Sequence, residues 1–150
     1  MTILMSERIV LADINNIMMK LKTLINWVAR IVAAVIMLQT LYFKFTAAPE
    51  SVYIFTTIGM EPWGRIGVGV MELIASGLIL ISATSWLGAG LALGLMGGAI
   101  GMHFTILGIS VQNDGGYLFF LALAVAVCSL YILWYNSEKI ESAVKNFRKQ

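Results

Sequence analysis

Glu72 is the residue in this chain that most needs an answer. It sits in the run from Trp63 to Ser82, which otherwise reads as a membrane-spanning helix, since roughly 20 apolar residues cover a ~30 Å hydrocarbon core. At ~1.5 Å per residue Glu72 lies ~13 Å below Trp63. A charge at that depth costs on the order of 3 kcal/mol on insertion scales, so it requires a partner, a proton or a task. Four polar residues can approach it by depth. Gln39 is level with it, Lys44 and His103 lie ~5 Å below the same edge of the core, and Arg65 is just inside that edge. Side chains lean toward the N-terminus of their own helix, so Glu72 tilts one way and Lys44 and His103 tilt to meet it. The expected site is a polar cluster in the outer half of the membrane. Glu72 and His103 are its proton-exchanging groups; Gln39, Lys44 and Arg65 are its substrate-binding groups. Donors beside one carboxylate suit recognition of a carbonyl coupled to proton transfer. The passive reading stands beside this one: Lys44 and Arg65 snorkel to headgroups, Gln39 bonds between helices, His103 is an ordinary satisfied histidine, and Glu72 belongs to a structural ion pair.

Composition decides the solvent. The 150 residues are 59% hydrophobic and 12% charged, against roughly 25% charged in a soluble domain. So apolar a chain has no polar shell for water and reads as one domain in lipid. The net charge of +2, carried largely by the two ends, argues against a nucleic-acid partner. The single cysteine, Cys128, rules out an internal disulfide and a Cys-x-x-Cys pair. His103, Met102, Met60 and Cys128 do not make a metal site, because Cys128 falls ~16 Å below Tyr117, in the other half of the membrane. Asp114-Gly115-Gly116 reads as a turn.

The elements that position these groups follow from apolar runs and their punctuation. The reading is an all-α, integral membrane four-helix bundle with spans at 24–45, 63–82, 86–109 and 117–135. Residues 1–23 are a short surface helix or a loose extension on the cytoplasmic side, with Met18 and Met19 also plausible starts, and 136–150 form a polar tail. A cleaved signal peptide is disfavoured by Arg30 and by the length of the apolar run. Between the first two spans, Pro49, Glu50 and Gly59 mark a short amphipathic helix on the outer side. Arg30, one turn inside Trp27, is expected to snorkel and is given no function. Gly90–Gly94, Gly94–Gly98 and Gly97–Gly101 are small-xxx-small spacings that admit a close helix and suggest a homo-oligomer through span 3. Trp27, Trp63, Trp86 and Trp134 fall at span ends, as an interfacial belt requires. Lys and Arg gather before span 1 and after span 4 (Lys139, Lys145, Arg148, Lys149), and the loops 46–62 and 110–116 have none. The positive-inside rule then places both termini in the cytoplasm.

Across about Leu24 to Tyr135 the chain resembles the DoxX-like membrane proteins. The features that carry this are Arg30 early in span 1, Leu41-Tyr42-Phe43-Lys44-Phe45 at its end, Gly69-Val70-Met71-Glu72-Leu73 in span 2, the Ser82-to-Trp86 hairpin, and His103-Phe104 near the end of span 3. The family often has a glycine shortly before the span 1 lysine; here Leu41, Tyr42 and Phe43 fill those places, which narrows the mouth of any pocket. The resemblance implies a multi-pass protein of the bacterial cytoplasmic membrane, a subunit beside a redox partner in quinone-dependent sulfur oxidation or in an oxidative-stress complex. On that expectation a quinone is the ligand and electron carrier, received by Lys44, His103 and Gln39 as donors and Glu72 as acceptor. The rival expectation is a non-enzymatic scaffold or small-molecule-binding module whose ion pair fixes helix register.

Overall fold

A computed structural model describes residues 2–148; Lys149 of the basic tail lies outside them. Six α-helices and one π-turn account for the described chain: α1 (Thr2–Phe45), α2 (Pro49–Thr57), α3 (Trp63–Leu80), α4 (Ser85–Met102) running into a π-turn (His103–Leu107), α5 (Tyr117–Tyr135) and α6 (Ser137–Phe147). Four of them are long and apolar enough to cross a membrane: α1 from Val10, α3, α4 with its π-turn, and α5.

The sequence expected a boundary near residue 23, but α1 runs straight through it. From Thr2 to Phe45 there is no glycine and no proline to stop a helix. Its 44 residues reach ~66 Å, twice the depth of a hydrocarbon core. A short link with Ala47 at φ 53° leads to α2, which opens on Pro49 and ends before Gly59 at φ 72°, as the turn residues indicated. The Glu61–Pro62 peptide is cis. The third span departs from expectation at its end: α4 loosens into the π-turn from His103, and Gly108 at φ 76° terminates it.

α1 packs on α3 and α5, and α4 packs on α3 and α5, so the four spans form a ring in which α1 and α4 are diagonal. The interior is built from small side chains. Ala33, Ala75, Ala89 and Ala92 are buried at the helix contacts, with Met37, Ile79 and Val125 between them. The large apolar side chains, such as Leu73, Ile74, Leu123 and Val127, point outward. This arrangement suits lipid, where close backbone approach and dispersion hold helices together and no water drives leucines inward. Gly88 is the glycine of α4 that the bundle uses. A Cβ there would sit 2.5 Å from the Ile79 nitrogen and 2.8 Å from the Ala75 oxygen, so α3 and α4 touch backbone to backbone. The expected Gly90, Gly94, Gly97, Gly98 and Gly101 spacings lie elsewhere: a Cβ on any of them meets nothing within 4 Å. They form an open face of α4 and do no packing inside this bundle.

Candidate functional site

Glu72 is answered by α1. Lys44, in the last turn of α1, places Nζ 2.9 Å from Glu72 Oε2. Thr40, one turn earlier on the same face, places its hydroxyl 3.0 Å from the same oxygen and 2.8 Å from the Met37 carbonyl. One hydroxyl proton therefore serves two acceptors. Glu72 itself is 3% exposed. The contact exists because Gly69 lies three residues before Glu72, on the same face of α3. A Cβ there would meet the Phe45 ring at 3.2 Å and Lys44 Cβ at 3.6 Å, so glycine is what lets the end of α1 settle against α3.

A second pair leans on the first. Arg65, in the first turn of α3, donates from Nε to both Glu61 oxygens at 2.9 Å, and its Nη2 lies 2.8 Å from Glu61 Oε1. Its Nη1 donates to the Lys44 carbonyl. That carbonyl is among the last of α1; the Thr46 and Ala48 amides take up those of Tyr42 and Phe43, and Arg65 caps that of Lys44. A continuous polar chain results: Glu61, Arg65, the Lys44 backbone, the Lys44 ammonium, Glu72 and Thr40. Arg65 was expected as a substrate-binding group. It is 6% exposed, and all three guanidinium nitrogens have partners within the protein.

The remaining expected members stand apart from this chain. His103 opens the π-turn with Nδ1 2.7 Å from the Gly108 carbonyl, and its ring meets Phe119 of α5 edge-on at 5.6 Å. Because a carbonyl only accepts, Nδ1 carries a proton in this contact. Among the described residues no hydrogen bond or ion pair joins His103 to Glu72 or Lys44. α4 is diagonal to α1, and His103 turns toward α5. Gln39 is exposed. It lies two residues beyond the buried Met37, about 200° further round the helix, on the outer face. Sequence reasoning missed Thr40, although its spacing of four from Lys44 was the signal for a shared face.

At the opposite end of the bundle Arg30 overturns the snorkelling expectation. It is 2% exposed, with Nε donating to the Ile79 carbonyl at 2.6 Å, Nη2 to the Leu80 carbonyl at 2.5 Å and Nη1 to the Ser82 hydroxyl at 3.1 Å. Its guanidinium lies 3.9 Å from the Trp27 ring centre. The last carbonyls of α3 lack helical partners, and a planar five-donor fork fits several of them at once. That demand draws the charge inward, away from the headgroups. Lys139 of α6 adds a donor 3.4 Å from the Ser82 carbonyl.

The Asp114 loop is a turn, as expected, with a purpose. The Val111 and Gly116 amides donate to Oδ1 at 2.8 Å each, and the Leu118 amide donates to Oδ2 at 3.0 Å. Burial pushes the Asp114 pKa up, but the Leu118, Gly116 and Val111 amides and the Ser110 hydroxyl outweigh it and hold the carboxyl below its ordinary value. No protein-family model, curated protein or solved structure matches this chain.

Proposed function

We propose that this chain is a non-catalytic, multi-pass membrane subunit of DoxX-like organisation, in which the Lys44–Glu72 pair clamps α1 to α3. One observation carries the reading: Glu72 Oε2 receives both the Lys44 ammonium and the Thr40 hydroxyl from within the protein. The donor set that would have recognised a carbonyl is dispersed, with Gln39 on the outer face and His103 bonded to Gly108. Such a pair fixes which turn of α1 meets which turn of α3. A double-mutant cycle on unfolding in detergent tests it. Lys44→Met alone is expected to cost ~3–5 kcal/mol by stranding the Glu72 charge, and Lys44→Met with Glu72→Gln markedly less. Additive losses would sink the clamp.

A second reading, a subunit of a quinone-linked redox or oxidative-stress complex, has its own supporting observation. Among the described residues the contacts of the Glu72 carboxylate all go to Oε2, so Oε1 stays available to a hydroxyl, and Lys44 keeps ammonium protons for a carbonyl. Electrons would then pass to a partner protein. Quinone retained after mild extraction and released by Glu72→Ala supports this reading; its absence from the extract, with the pair intact, returns the site to the clamp alone. The membrane proposed is the bacterial cytoplasmic membrane, with both ends of the chain inside, on the distribution of Lys and Arg.

A further inference from the structure

Arg30 carries its charge without a carboxylate. Its donated bonds go to the Ile79 and Leu80 carbonyls and the Ser82 hydroxyl, and the Trp27 ring covers one face. The ion pairs among the described residues join Lys44, Arg65 and Lys145 to acids, and none reaches Arg30. The nearest acid before it on α1 is Asp13, ~25 Å away along the axis. A cation 2% exposed is costly unless an anion answers it. Lys139 of α6 adds to the excess. Its Nζ lies 3.4 Å from the Ser82 carbonyl, and Arg30 Nη1 lies 3.1 Å from the Ser82 hydroxyl. Two cations therefore meet on one residue.

The protein around Ser82 does not supply the missing charge. Ser82 lies between the carbonyl end of α3 and the amide end of α4, which starts at Ser85. The first carries about half a negative charge and the second about half a positive one, so the hairpin alone is close to neutral. α4 has no acidic residue in its first turn and no side-chain cap. On α6, Glu141 faces Lys145 at 3.8 Å. Glu138 follows Asn136 and Ser137 directly before Lys139 but points ~100° away from it round the helix. Ser82 itself is exposed. Its hydroxyl oxygen accepts from Arg30, which leaves the hydroxyl proton to point outward, and the Lys139 ammonium keeps two of its three protons. One exposed point thus presents two donors with a buried positive charge behind them.

We infer that the α3–α4 hairpin binds a phosphate group at Ser82, that of an anionic phospholipid headgroup, with the Ser82 hydroxyl and the Lys139 ammonium as donors and Arg30 as the charge behind them. Trp27, Trp86 and Trp134 set this end of the spans at headgroup level, where phospholipid phosphates stand. Basic recesses between spans take anionic headgroups. Leu80 and Ile81, directly before Ser82, are exposed and offer an apolar flank to the acyl chains. Two unanswered cations favour a headgroup of net negative charge over a zwitterionic one, which brings its own cation. The site rests on the membrane-spanning reading of the chain. It lies at the opposite end of the bundle from Lys44 and Glu72 and takes its phosphate under either reading of that pair.

Heat unfolding of the delipidated full chain in mild detergent tests this, because a ligand of the folded state raises the midpoint. Phosphatidylglycerol should raise it, and phosphatidylcholine at the same concentration should not. Lys139→Ala and Ser82→Ala, both at exposed positions, should each weaken the apparent affinity for phosphatidylglycerol about tenfold, read against the variant's own lipid-free midpoint. Lys145→Ala removes the same charge from the same helix and should leave the affinity unchanged. Inorganic phosphate separates the two sources of the group. If it reproduces the lipid's shift and loses it in the same two variants, the phosphate site stands and its ligand is soluble. No shift with lipid or phosphate would overturn the inference. So would equal weakening by Lys145→Ala and Lys139→Ala, which would reduce the effect to net charge.

Discussion

Gln39, Thr40, Lys44 and Arg30 show that depth and direction are separate quantities. Counting residues from the interfacial tryptophans gave depth, and depth was enough to match Lys44 with Glu72. Direction needs the helical face. Gln39 and Thr40 differ by one residue and little depth, yet Thr40 reaches Glu72 and Gln39 faces out. Arg30 was misread for a related reason: a sequence shows a cation near an interface, but not the unpaired carbonyls of another helix beside it. Replacing Arg30 with alanine should strand the Ile79 and Leu80 carbonyls and lower stability by ~2–3 kcal/mol. Arg30→Lys should restore little of this, since an ammonium lacks the planar fork. Unfolding midpoints in detergent would show it, and full rescue by lysine would reduce Arg30 to a simple charge. Asp114 gives a pH prediction. Its folded pKa is depressed, so its contribution is complete above the ordinary carboxylate value of ~3.9 and is lost as pH falls through the lower folded value. Amide exchange at Gly116 and Leu118 should stay slow from neutral pH to about 5 and speed up only in stronger acid. In Asp114→Ala it should be fast throughout.

Among the elements, the spans were legible because lipid imposes a coarse length rule and tryptophan marks its limits; α3, α4 and α5 begin within a residue of the expected positions. Two features were not. The π-turn depends on how His103 and Gly108 close the end of α4, which no periodicity announces. The packing glycine could not be told from the idle ones, because spacing describes a face and not what lies opposite it. These glycines give a paired prediction. Gly88→Ala drives a methyl into the backbone of α3 and should cost ~1–3 kcal/mol. Gly94→Ala meets nothing and should be neutral, or gain up to ~1 kcal/mol from helix propensity. If the two substitutions behave alike, the α3–α4 contact is looser than described.

For the molecule as a whole, the two polar constructions sit at opposite ends of the ring. The Lys44–Glu72 and Arg65–Glu61 chain lies beside α2, and the Arg30 cap lies beside α6. Lys and Arg crowd the α6 end, and the α2 end has few beyond Lys44 and Arg65. Reporter fusions at Ser51 and Asp114 should therefore signal from outside the cell and a fusion at the C-terminus from inside; the reverse pattern would invert the molecule. The length of α1 ties the two ends together. It is a single unjointed rod, held near one end by Glu72 and gripped again at Lys22 and Thr23, with ~30 Å left over. A tilt of about 10° within the ring sweeps the free tip by ~5 Å on that ~30 Å arm. Any tilt of α1 about its Glu72 end would therefore be magnified at the opposite tip, because the rod has no joint to absorb it.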